Sequence, residues 1–153
     1  MLYMPMPDEV QLQSLFIRCY EDRKLVSIPY LRAKDKPMLA VALKSLESVQ
    51  PGEFGIPTAE PGSALLDKNS IDLVIVPGVG FAPNGARLGM GGGFYDRFLT
   101  EQQPYAARIG LAFDCQLAEE LPFEDYDQFM HIIITESQMI VCKKFALPYY
   151  GRN

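Results

Sequence analysis

The feature that most constrains this chain is a glycine-rich segment in residues 71–99. Seven of the chain's twelve glycines lie between Gly78 and Gly93. An apolar run, Leu73–Val76, comes just before them. Apolar side chains at helical spacing come just after them: Phe94, Tyr95, Phe98 and Leu99. The segment therefore predicts a buried strand, a long glycine loop and then a helix.

Glycines at positions 89 and 91–93 remove side chains from the middle of this loop. Successive backbone N–H groups can then turn towards a ligand that approaches closely. The positive end of the predicted helix points the same way, which favours a phosphate or another anion. Tight turns are also rich in glycine, and neither the P-loop spacing nor the dinucleotide spacing is present. The glycines alone leave both interpretations open.

Length and charge exclude several classes of protein. A chain of 153 residues favours one domain, and we expect it to cover residues 1–142, followed by a tail at 143–153. The net charge of -5 and the absence of a basic run argue against nucleic-acid binding. No apolar run reaches the ~20 residues that span a bilayer. Three scattered cysteines and no secretory segment predict a reducing, cytoplasmic setting.

Strand-like and helix-like runs alternate along the chain. Asp8, with Gln11 three residues later, is predicted to cap a first helix that ends near Asp22. Short helices are expected at 64–69 and 115–120, a loop at 46–61 and an acidic loop at 122–128. The predicted strands are residues 2–4, 25–28, 38–43, 71–76, 108–113, 131–135 and 139–142. This order predicts a single α/β domain, with a mostly parallel sheet covered by helices on both faces and the glycine-rich loop at the strand carboxyl ends.

Three charged residues could carry chemistry. Arg87 lies beside the glycines, where a guanidinium can hold two phosphate oxygens at once, or it is a solvated loop residue. Asp96 lies in the first turn after the loop, where it can bind Mg²⁺ or simply favour the start of a helix. Glu9 can accept hydrogen bonds from a ring N–H and an amino group, or it is an ordinary helix-start acid. The chain's one histidine, His131, sits in a strand-like run and is expected to be a structural or a surface residue.

Three stretches of this segment together closely resemble the signature of 5-formyltetrahydrofolate cyclo-ligases, also called methenyltetrahydrofolate synthetases. They are PGVGF from Pro77, GARLG from Gly85 and GGGFYDRFL from Gly91. The resemblance continues more thinly from Met1 to Glu136. It implies an ATP- and Mg²⁺-dependent reaction. In that reaction 5-formyltetrahydrofolate becomes 5,10-methenyltetrahydrofolate, with release of ADP and phosphate and without a protein nucleophile.

The resemblance also implies roles for particular residues. ATP contacts are expected at Arg87, Gly89, Gly91, Gly92, Gly93, Phe94 and Tyr95, with Arg87 and Tyr95 taking part in catalysis. Contacts to the reduced folate are expected at Met4, Glu9, Tyr30, Met90, Gly91, Gly92, Gly93 and Phe94. Mg²⁺ is expected at Asp96 and Asp127. Relatives often carry a second acid four residues after the latter aspartate, where this chain has His131.

Family members normally begin with a long basic helix, whereas this sequence starts at the first predicted strand. An uncovered sheet surface would favour a homodimer. Two functions therefore stand beside each other: an ATP-dependent cyclo-ligase, and a non-catalytic folate- or nucleotide-binding remnant of the same fold. A third, a sugar-phosphate or acyl-CoA enzyme of similar fold, would need a catalytic glutamate or lysine at a strand end, and none can be placed.

Overall fold

The computed structural model describes residues 1–100 and 106–142. The chain divides into two units, Met1–Ile71 and Asp72–Asn153. The predicted tail at 143–153 lies outside the described residues, and the single domain over 1–142 stays a prediction. Among the described residues, no helix is both long and apolar enough to cross a membrane.

The first unit is built from one α-helix and small antiparallel sheets. The elements, in chain order, are α1 (Gln13–Glu21), β1 (Ser27–Tyr30), β2 (Leu39–Ala42), β3 (Val49–Gln50), β4 (Thr58–Ala59) and β5 (Leu65–Leu66). Strand β1 pairs with β2, β2 pairs with β5, and β3 pairs with β4. On the helix, Phe16 is buried, as the apolar spacing predicts.

The predicted start of the first helix is wrong, although its end is right. Helix α1 begins at Gln13, after Leu12 and without a side-chain cap. The Gln11 amide instead donates to two backbone oxygens, of Met6 and Glu9. Residues before the helix therefore form a turn of their own, and their polar side chains are used there.

Two strand predictions in this unit also need correction. Pro29 was expected to end a strand, but it lies inside β1, opposite Ala40. Strand β1 lies at the edge of its sheet, so one of its sides has no neighbouring strand. A proline there loses no hydrogen bond of the sheet on that side. Residues 2–4 form no strand, although the Leu2 N–H donates to the Ser27 oxygen. The predicted loop at 46–61 contains β3 and β4, and the predicted helix at 64–69 is β5 followed by a 3₁₀ turn.

The second unit holds one α-helix and six strands in its described residues. The elements are β6 (Leu73–Val76), β7 (Gly80–Phe81), β8 (Arg87–Leu88), α2 (Phe94–Thr100), β9 (Ala107–Leu111), β10 (Ile132–Ile134) and β11 (Met139–Val141). Four of the strands form a sheet in the order β11-β10-β9-β6. Strands β6, β9 and β10 are parallel, and β11 is antiparallel to β10. The predicted helix at 115–120 is a single 3₁₀ turn, Asp114–Gln116.

These elements make a mixed α/β fold. Within the described residues, parallel pairing is limited to three strands of one sheet and a single bridge between Phe81 and Leu117, and the other three sheets are antiparallel. Only two α-helices occur in the described residues. A mostly parallel sheet with helices on both faces is therefore not the architecture of the whole described chain, because the first unit uses short hairpins where the sequence suggested strand–helix alternation.

The predicted glycine loop is divided by a hairpin of β7 and β8. Gly85 makes the turn with φ +95, a conformation that other residues rarely adopt. The Phe81 side chain packs tightly on two further glycines. A Cβ atom added at Gly78 or Gly110 would lie only 2.7 or 2.5 Å from its ring. The hairpin thus fixes the loop's first half and leaves residues 89–93 as the open part.

Candidate functional site

The open part of the loop runs from the end of β8 to the start of α2. Met90 is 78 % exposed, and Gly91 is exposed with φ +81. Gly93 also has a positive φ, +62. These two backbone conformations are the ones that change the direction of successive peptide groups.

The backbone N–H groups of this loop have no acceptor in the part of the chain that the structure describes. Within residues 1–100 and 106–142, none of the N–H groups from Gly89 to Gly93 donates a hydrogen bond. Glycine occupies four of these five positions, and two of the five residues, Met90 and Gly91, are exposed. An anion site at this loop stays a prediction.

Arg87 lies against this loop and is held firmly. Its side chain is only 5 % exposed, and its Nη2 donates to Oδ2 of Asp96 over 2.7 Å. Its Nη1 donates to the Pro77 oxygen over 3.3 Å. A Cβ atom added at Gly89 would lie 2.8 Å from the same Nη1. The guanidinium is therefore a loop-facing cation, and its buried Nε–H has no partner in the described chain.

Asp96 joins three segments of the second unit. Its Oδ2 accepts from Arg87, and its Oδ1 accepts from the Gln128 backbone N–H over 3.1 Å. Arg108 on β9 donates to the Gln128 side-chain oxygen over 2.9 Å and to the Leu99 oxygen over 3.3 Å. Burial lowers the pKa of Arg108, and the charge of Asp96 opposes that lowering. Arg87 and Arg108 therefore both interact electrostatically with the Asp96 carboxylate.

The aromatic residues after the loop lie near the arginines. The Tyr95 ring centroid is 5.8 Å from Cζ of Arg87, and the Phe94 ring centroid is 5.1 Å from Cζ of Arg97. Both distances are within the range of cation–π contacts. The predicted ATP-binding residues therefore form one continuous region of the second unit.

Three residues that the sequence analysis did not select support this region. Gln116 donates to the backbone oxygens of Gly78 and Val79, so it holds the start of the glycine segment. Arg108 and Gln128 hold Asp96. A signal existed for Arg108, since a charged residue inside an apolar strand run is rarely buried without a partner. Nothing in the sequence around the two glutamines distinguishes them.

The predicted magnesium ligands are close in the hydrogen-bond network but already engaged. Asp127 precedes Gln128, whose N–H binds Asp96, and its own Oδ2 accepts from the Glu124 N–H. The described residues contain no group of three or more His, Cys, Asp or Glu that could hold a metal. Each carboxylate oxygen keeps further lone pairs. Asp96 and Asp127 as ligands of a magnesium ion therefore stay a prediction.

The folate candidates Met4, Glu9 and Tyr30 lie in the first unit, whereas Met90 and the glycines lie in the second. Residues 4–11, here called the N-terminal turn, are held by local bonds. Asp8 was predicted to cap the first helix, but Glu9 makes the side-chain bond in this turn. Its Oε2 accepts a hydrogen bond from the Met6 N–H over 2.7 Å. The other carboxylate oxygen of Glu9 accepts no hydrogen bond within the described residues. Tyr30 is the last residue of β1, opposite Leu39.

His131 extends the network around Arg108. It is 6 % exposed, and its Nδ1 accepts from the Arg108 backbone N–H over 3.1 Å. Burial lowers the pKa of His131, and the charge of Arg108 lowers it further. The side chain is therefore neutral at pH 7 and structural, which is one of the two predicted roles.

Known proteins with similar sequences share one description. The family model of the 5-formyltetrahydrofolate cyclo-ligase family matches residues 1–136. A 5-formyltetrahydrofolate cyclo-ligase of Haemophilus influenzae is 36 % identical over 132 residues, covering 82 % of this chain and 69 % of the relative. One of Escherichia coli K12 is 45 % identical over 76 residues, covering 49 % of this chain and 42 % of the relative. The chain thus matches less than half the length of the latter protein.

Two solved structures have a fold similar to that of this chain. The NMR structure of Aquifex aeolicus 5,10-methenyltetrahydrofolate synthetase matches with a TM-score of 0.78 and 28 % identity, over 98 % of this chain and 75 % of that one. A 5,10-methenyltetrahydrofolate synthetase from Mycoplasma pneumoniae, at 20 % identity and a TM-score of 0.67, covers 92 % of this chain and 71 % of that one and supports the fold alone. Because the family model spans most of the sequence and the Haemophilus influenzae relative is matched over more than two thirds of its length, the chain belongs to the 5-formyltetrahydrofolate cyclo-ligase family.

Proposed function

We propose that this chain catalyses the ATP-dependent conversion of 5-formyltetrahydrofolate to 5,10-methenyltetrahydrofolate, with release of ADP and phosphate. The observation that carries the proposal is the row of N–H groups at residues 89–93 that have no acceptor within the described residues, beside the guanidinium of Arg87. A triphosphate needs many donors and at least one fixed cation, and this region supplies both. Family membership supplies the substrate class.

In the proposed reaction the γ-phosphoryl group of ATP passes to the formyl oxygen of the folate. The N10 atom then attacks the activated formyl carbon, and the phosphate leaves with that oxygen. The protein's task is to hold the reactants and to neutralise the charge on the transferred group. Arg87 and the loop N–H groups would hold phosphate oxygens, and Tyr95 would position the arginine through its ring.

The proposed folate contacts in the first unit are Glu9, Met4 and Tyr30. Glu9 has one carboxylate oxygen that accepts no bond in the described chain, which suits it to a ring N–H or amino group. Met4 and Tyr30 would supply apolar contact. The proposed folate contacts in the second unit are the exposed Met90 together with Gly91, Gly92, Gly93 and Phe94.

Mg²⁺ is proposed as the metal, with Asp96 and Asp127 as its protein ligands. When bound, the ion would neutralise charge on the phosphate oxygens. Asp127→Asn should raise the Mg²⁺ concentration needed for half-maximal activity, whereas Asp125→Asn, two residues away, should not. An equal response of both variants would argue for a general charge effect and against this ligand.

A homodimer and a cytosolic location are the remaining proposals. All three cysteines are free, which suits a reducing compartment. Strand β11 ends the described sheet and leaves Met139 and Val141 more than half exposed, a surface that a second copy could cover. Light scattering of the purified chain, with Met139→Lys as a comparison, measures whether this strand supports association.

The deciding experiment follows the absorbance of 5,10-methenyltetrahydrofolate when the chain is mixed with 5-formyltetrahydrofolate, ATP and Mg²⁺. We expect product that depends on all three additions, and almost none with Arg87→Ala. Arg18→Ala serves as the matched control, because Arg18 forms an exposed pair with Asp22 on α1. Binding of folate or ATP without any product, at high protein concentration, would favour the non-catalytic binding protein.

A further inference from the structure

Arg108 is a partly buried arginine inside the four-stranded sheet. It lies on β9, opposite Val74 of β6, and its guanidinium donates to two separate segments. One is the last turn of α2, through the Leu99 oxygen, and the other is the loop before β10, through Gln128. Its Nε–H, also buried, has no partner in the described residues.

An arginine with such surroundings is not explained by its contribution to stability alone. Taking even part of a charged group out of water is unfavourable, and apolar residues of similar size avoid this penalty. A buried donor without a partner adds to the penalty. The planar fork, however, can fix two segments at a defined distance and angle, which neither an apolar side chain nor a lysine can do.

The contacts of Arg108 lead to the phosphate side of the site in three steps. Arg108 Nη1 binds the Gln128 side chain over 2.9 Å, and the Gln128 N–H binds Oδ1 of Asp96 over 3.1 Å. Oδ2 of Asp96 binds Arg87 over 2.7 Å. Arg87 in turn lies against Gly89 of the open loop.

We propose that Arg108 is a positioning residue: by holding Gln128 it fixes Asp96, and so sets the direction in which the Arg87 guanidinium faces the glycine loop. The anion that Arg87 meets is ATP only if the proposed function is correct. The positioning itself does not depend on that function. Gln128 is the link, since it offers its side chain to one arginine and its backbone N–H to the partner of the other.

The first test reads the position of Arg87 without any ligand, by ¹⁵N–¹H NMR of the arginine Nε–H groups. Arg108→Met and Gln128→Ala should each shift or broaden the Arg87 resonance. Gln128→Glu, which keeps the acceptor for Arg108, should restore it. Arg18→Met is the control and should leave it unchanged. An Arg87 resonance that stays the same in both Arg108→Met and Gln128→Ala overturns the proposal.

The second test reads the consequence for the substrate. Misplacement of a binding group can cost about 10- to 100-fold in kcat/KM. We expect such a loss in both single variants, expressed mainly in KM for ATP, with KM for the folate nearly constant. The double variant should lose no more kcat/KM than the more impaired single variant, because both substitutions break the same chain of hydrogen bonds. Additive losses, or equal rises in both KM values, would mean a merely structural role. If the Arg87 resonance moves but the wild-type chain neither binds nor uses ATP, the proposed function fails and the positioning role stands.

Discussion

The phosphate side of the candidate site and the N-terminal turn are held in different ways. Asp96 binds Arg87 nine residues back and Gln128 thirty-two residues ahead. In the N-terminal turn, Glu9 binds Met6 three residues back, and Gln11 binds oxygens two and five residues back. The first region is therefore fixed by the fold of its whole unit, and the second largely by its own few residues.

This difference indicates where each region is vulnerable. A network of distant segments in a half-buried site keeps its geometry only while every member is present. A local turn can lose one bond and keep its shape. Variants in the two regions should therefore have different effects. On the phosphate side, stability and activity should fall together, whereas at the turn only substrate affinity should fall.

The largest effect is expected for Arg87→Ala. It leaves the Asp96 carboxylate, 17 % exposed, without its cationic partner, and breaking a buried pair costs about 3–5 kcal/mol in stability, with the remaining exposure favouring the lower value. Loss of a fixed donor to a transferred group costs about 10²–10³ in kcat. Denaturant unfolding and product absorbance measure the two effects. Arg18→Ala, from a pair with side chains 70 % and 45 % exposed, should cost under about 1 kcal/mol.

A smaller and more selective effect is expected for Gly91→Ala. Gly91 has φ +81 with no atom near its added Cβ, and Gly62 in the first unit has φ +86 with the same open surroundings. Left-handed backbone costs an ordinary residue about 1–2 kcal/mol, so both alanine variants should lose similar stability. Only Gly91→Ala should weaken ATP binding, by about tenfold. Calorimetric titration with ATP compares them, and equal weakening would remove the loop from the nucleotide site.

At the N-terminal turn, Glu9→Gln should act on the folate alone. A glutamine oxygen can still accept from the Met6 N–H, so the turn should keep its shape. Loss of a charged acceptor costs about 1.5 kcal/mol or more, which raises KM for the folate about tenfold. KM for ATP and the midpoint of unfolding should stay constant. Asp8→Asn is the neighbouring control, and a similar rise there would show only a loss of local charge.

The smallest effect concerns pH and His131. Its folded pKa lies below the ordinary 6.5 because of burial and the nearby Arg108. Above pH 6.5 both the folded and unfolded chains hold it neutral, so its contribution to stability is fully present there. As the pH falls below 6.5, the unfolded chain gains the proton first and the folded state loses stability until the folded pKa is passed. His131→Gln should reduce the slope of the unfolding free energy against pH in this window. An unchanged slope would mean that other groups cause the pH dependence.

Sequence reasoning selected the residues of the candidate site but did not predict the contacts between them. The Gly-rich stretch, Arg87 and Asp96 were selected because residue type and spacing carry their chemistry locally. The pairing of these two charges was not predicted, since it depends on where α2 lies relative to β8. Gln116, Arg108 and Gln128 were missed for the same reason, because their partners are distant in the chain.

The fold shows the same division. Strand β6 and helix α2 were anticipated close to their real limits, because strong apolar periodicity marks both. The start of α1 was misplaced because the capping pattern at Asp8 competes with a turn in which Glu9 and Gln11 bind nearby backbone. The antiparallel hairpins of the first unit were not anticipated, since two-residue strands are too short to show a period of two.

The ring of Phe81 has a consequence for how this sequence can change. It packs where Gly78 and Gly110 lack side chains, although these glycines stand on different segments of the second unit. A larger residue at either position displaces the ring from both, so the three positions must be inherited as a set. Recombining this chain with a relative at any crossover between positions 81 and 110 would separate that set, and only parents that carry compatible residues on both sides should give folded offspring.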